Sequence, residues 1–74
     1  MVVVVAANEG NGAIIRAEPS LDGETIKSVL NGTQLQLYET VTSEEGTVWA
    51  HVILPSEELD GYIMRSLIDI VPGE

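Results

Sequence analysis

Four side chains in this sequence have the chemistry to hold a ligand: Tyr38, Trp49, His51 and Tyr62. Trp49 and His51 alternate along one apolar run, "TVWAHVIL", and Tyr62 follows a glycine in the next. Aromatic rings with polar tips stack on sugar rings or peptide planes while their OH and NH groups find hydrogen-bond partners. If 47–54 pairs with 61–64, Trp49 and Tyr62 become cross-strand neighbours on one face with His51 beside them. The competing reading is structural, with Trp49 as half-buried scaffolding under a loop and Tyr62 as a cap.

Catalysis finds little material. His51 is the only histidine and cysteine is absent, which excludes a histidine-rich or thiolate metal site and a cysteine nucleophile. As a lone histidine on a strand, His51 reads as a spectator rather than a general base, and no serine or aspartate near it in sequence suggests a triad. We therefore expect no catalytic residue, no metal and no cofactor. The acidic runs Glu44–Glu45 and Glu57–Glu58 with Asp60 lack the alternating oxygen spacing of a calcium loop and read as solvated turns. "NGT" at 31–33 fits a glycosylation acceptor, but is first of all a hairpin turn.

Charge narrows the partners further. Twelve acids against three bases give a net charge of −9 in 74 residues. Such a surface repels phosphate backbones and anionic lipids, so nucleic acid is excluded as a partner, and ligands with free amines suit it better than anionic polymers. The opening "MVVVVAA" is far too short to span a bilayer and has no basic residue ahead of it, so it reads as a strand rather than as a signal peptide or a membrane insertion.

The elements that must position these residues are short and β-rich. The apolar share of 45% is carried by Val, Ile and Leu, with no Phe, a composition that favours strands. Turn signals recur at "NEGNG" (8–12), "EPSLDG" (18–23), "NG" (31–32), "TSEEG" (42–46), "PSEELDG" (55–61) and "PG" (72–73). Between them we expect strands at Val2–Ala6, Ala13–Ala17, Thr25–Leu30, Thr33–Val41, Thr47–Leu54, Gly61–Met64 and Ile68–Val71, with one 3₁₀ turn at 64–67. Along the fifth, Val48, Ala50, Val52 and Leu54 form the smoother apolar set and are assigned to the core, which leaves Trp49 on the outer or groove face. The whole of 1–74 is one small domain, all-β, an antiparallel barrel of five to seven strands, and Gly73 and Glu74 read as the start of a linker.

The ordered set Ile15-Arg16 with Pro19, Ile26 and Val29, "GTQLQL" (Gly32–Leu37), "WAHV" (Trp49–Val52), "GYI" (Gly61–Ile63) and Leu67 resembles the bacterial SH3 domain family, SH3b type. The likeness runs over roughly 13–71, with Tyr62 where the family often has Trp and Glu18 where it has a small residue before the proline. It implies an SH3-like barrel in which "EPSLDG" is the long excursion between two core strands. Pro19 fixes a corner of that loop and Gly32 and Gly61 serve the backbone, while Arg16 clamps loop carbonyls or pairs with Glu18 or Asp22. It also implies a non-catalytic module of a bacterial exported or envelope protein, extracellular through a longer parent chain. Its partners would then be peptidoglycan fragments or a protein. The alternative is an interaction domain without a small ligand, docking through the apolar strands Val2–Val5 and Ile68–Val71 if they lie exposed.

Overall fold

The computed structural model describes residues 1–7 and 12–71. Seven strands follow in order: β1 (Val2–Val5), β2 (Gly12–Arg16), β3 (Thr25–Leu30), β4 (Gln34–Thr42), β5 (Val48–Leu54), β6 (Leu59–Met64) and β7 (Ile68–Ile70). All pairings are antiparallel, and the strands form one sheet in the order β3-β2-β6-β5-β4-β1-β7, curled on itself as in small SH3-like folds. The expected strands thus appear within two residues of their predicted bounds. Most of the turn at 8–12 and the closing 72–74 lie outside the described residues.

Local chemistry explains the corners. Asn31 and Gly32 join β3 to β4, and Gly32 sits at φ +89, a conformation open to glycine at no steric cost. Its N–H donates to Val5 O at 2.8 Å, and Asn31 Oδ1 accepts the Ala7 N–H at 3.0 Å, so this hairpin is tied to the start of the chain. Between β5 and β6 the turn is tighter than "PSEELDG" suggested. A 3₁₀ turn over Pro55–Glu57 is followed by Glu58 at φ 50, and β6 begins at Leu59, two residues before the expected Gly61. The expected 3₁₀ turn near 64–67 spans Arg65–Leu67.

Ala50, Val52 and Leu54 of β5 point into the core with Ile15, Leu35 and Ile63. Val48 does not, correcting its assignment to the core. It lies 41% exposed opposite Thr42 at the hairpin end, past the reach of the inner cluster. Gly61 is required by close approach. A Cβ there would stand 2.5 Å from Ile15 Cγ2 and 2.8 Å from Arg16 O, the contacts through which β6 meets β2. β1 lies inside the sheet between β4 and β7, with Val3 and Val5 buried. That removes Val2–Val5 as an exposed docking strand; of the β7 apolar residues, Ile68 is buried and Ile70 is 44% exposed.

Candidate functional site

Trp49 and His51 lie two residues apart on β5 and share the face opposite Ala50 and Val52, by strand alternation. Register then decides their neighbours. Trp49 stands opposite Met64 and His51 opposite Tyr62, so Tyr62 is the diagonal cross-strand neighbour of Trp49 and the direct partner of His51. On the other side β4 carries an irregularity between Leu37 and Glu39. The extra residue is Tyr38, a bulge position that re-aims a side chain toward the neighbouring strand.

The outcome is a strip across three strands, exposed at Tyr38 and half-buried at His51 and Tyr62. The Tyr38 and His51 ring centroids are 5.4 Å apart at an interplanar angle of 67°, and His51 stacks on Tyr62 at 4.8 Å and 21°. Both geometries are those that aromatic quadrupoles favour. Asp60, diagonal to His51 across the ladder, places Oδ2 3.1 Å from its Nε2, which fixes the orientation of the ring between the tyrosines. Tyr38 is the most open of the three, 71% exposed.

Trp49 is on the same face but at its other end, and it is 1% exposed. It lies on the side of the strand expected for it, and it is covered more fully than the half-buried scaffolding read from the sequence. A cleft of about 190 Å³ there is lined by Trp49 with Ile14, Arg16, Leu21, Met64 and Leu67. Leu21 belongs to the β2–β3 loop, which crosses over this end of the face. Arg16, opposite Tyr62 in register, turns its guanidinium into that loop, and Nη1 donates to Gly23 O at 3.1 Å. Ala17 N–H to Glu24 O, 2.8 Å, closes the loop at its base, and Pro19 sits half-buried within it. Among the described residues Arg16 makes no ion pair with Glu18 or Asp22, so the clamp acts on a carbonyl.

Two of the acids in the turn runs have partners. Glu57 pairs with Lys27, and Asp60 with His51. Asp60 is the neighbour of His51 that the sequence did not indicate. Starting β6 at Gly61 left it in a turn; starting it at Leu59 sets the register that brings it diagonal to His51.

The model of the bacterial SH3 domain family matches residues 11–69. No curated protein and no solved structure matches the chain. The matched span holds β2 to β6 and with them the whole strip and the loop clamp, whereas β1 lies outside it.

Proposed function

Since the chain belongs to the bacterial SH3 domain family, we propose that it is a non-catalytic binding module that recognises peptide or glycan material of the bacterial envelope, peptidoglycan above all. In this reading it serves an exported or envelope protein, and Tyr38, His51 and Tyr62 form its ligand face. The observation that carries the proposal is the strip itself: two tyrosine rings packed on a central His51 that Asp60 holds, on the face of the sheet away from the core. Aromatic rings that pack on each other are already ordered, so a sugar ring or peptide plane laid on them costs little side-chain entropy. Trp49, buried beside the strip, supports the strand that carries His51 and does not meet the ligand. Domains of this family generally act as binding modules without catalysis, and the contacts of His51 suit that role. Its Nε2 is bonded to Asp60 and its ring is packed by two tyrosines, contacts that order the face.

The test is a ¹⁵N–¹H correlation spectrum of the domain titrated with soluble muropeptides. Saturable shifts centred on Tyr38, His51 and Tyr62 are expected. A dispersed spectrum that stays still, or shifts centred elsewhere, overturns the proposal.

A further inference from the structure

We propose that the strip selects ligands bearing a free amine, with the ammonium group set over Tyr38 and attracted by the carboxylates of Glu39 and Asp60. This rests on the reading of Tyr38, His51 and Tyr62 as the ligand face and adds the chemical class that face accepts.

The argument begins with the cations. The chain has three, and each is committed within the fold: Arg16 Nη1 to Gly23 O, Lys27 to Glu57, and Arg65 Nη1 to Ile68 O at 2.9 Å. A ligand carboxylate or phosphate thus meets no uncommitted positive side chain, and on a net charge of −9 its approach is opposed. The acids are placed differently. Glu39 stands opposite His51 on β4 and is exposed. Asp60, its side chain 67% exposed, is bonded to His51 through one oxygen, Oδ2. The charged groups around the strip are therefore two carboxylates on β4 and β6 and one guanidinium on β2, and the guanidinium is drawn into the loop. Beside Glu39 on β4 is the open ring of Tyr38, packed on the His51 that Asp60 holds, and its π face attracts a cation. An ammonium group, unlike a carboxylate, hydroxyl or amide, gains from both the ring and the acids. Within envelope peptides this singles out free α-amines and the side-chain amines of diamino acids.

The experiment uses the intact chain and three probes: Lys-Ala-Ala with both amines free, the same peptide acetylated on both amines, and a muropeptide mixture. The free-amine peptide is expected to shift Tyr38, His51 and Tyr62, and acetylation is expected to weaken binding about five- to tenfold. Raising NaCl from about 0.05 to about 0.5 M should weaken the free-amine peptide and leave the acetylated one unchanged. Glu39→Gln should reproduce the loss in a domain that melts like the wild type. Equal or tighter binding of the acetylated peptide at the strip overturns the amine selection while leaving the ligand face standing. Stillness of the strip with all three probes overturns the ligand face and the selection together.

Discussion

Trp49 and His51 sit on one strand, on one face, one pleat apart, yet the first is buried and the second belongs to an open strip. Alternation fixes the face and says nothing about what lies over it. At the Trp49 end the β2–β3 loop crosses the sheet, held down by Arg16 and bringing Leu21 to the cleft. At the His51 end there is no such cover, and the rings of Tyr38 and Tyr62 reach solvent. One end of the face therefore serves stability and the other is free to serve recognition.

The largest expected effect comes from removing the buried ring. Trp49→Ala should cost about 3–5 kcal/mol in a denaturant melt, enough to threaten so small a domain. A variant that melts normally yet loses muropeptide binding would break the comparison, because it would make Trp49 a contact residue. Next is the clamp. Arg16→Ala removes a charge-assisted bond to a loop carbonyl and should cost about 1.5–2 kcal/mol. Because Trp49 is the only tryptophan, its emission reports the cover directly and should move to the red; an unshifted spectrum would mean that the loop stays down without Arg16. Leu21→Ser sharpens the same point at smaller cost, about 1 kcal/mol, with a weaker red shift. Smallest in stability is Tyr38→Ala at the open end, within about 0.5 kcal/mol of wild type, while the muropeptide shifts should collapse. A fall in melting as large as that of Arg16→Ala would show that the strip carries structural load after all.

Much of this architecture was legible because its corners are chemical. Asn31-Gly32 allowed one kind of turn, and Leu35 and Leu37 between Gln34 and Gln36 declared a strand with one wet face. What stayed hidden depended on elements distant in sequence. The cleft at Trp49 is walled by Leu21, Met64 and Leu67, which come from a loop, another strand and a 3₁₀ turn. The Asp60–His51 contact follows from a register set by the left-handed Glu58, a residue type that gives no warning of that conformation. The bulge that delivers Tyr38 to His51 is equally silent, since nothing in "LYE" marks a break in the pleat. The place of β1 between β4 and β7 was also hidden, because an apolar run predicts burial without naming its neighbours.

That last feature governs how the chain reaches its native state. β1 is among the first residues of the sequence and pairs with β7 near its end, Val3 opposite Ile70, with Val71 N–H closing on Val2 O at 3.0 Å. Hairpins such as β3–β4 and β4–β5 close over short loops and can form early. The β1–β7 ladder joins residues much farther apart in sequence, the costliest pairing of the sheet in chain entropy, so it is expected to form after those hairpins and after β1 has paired with β4.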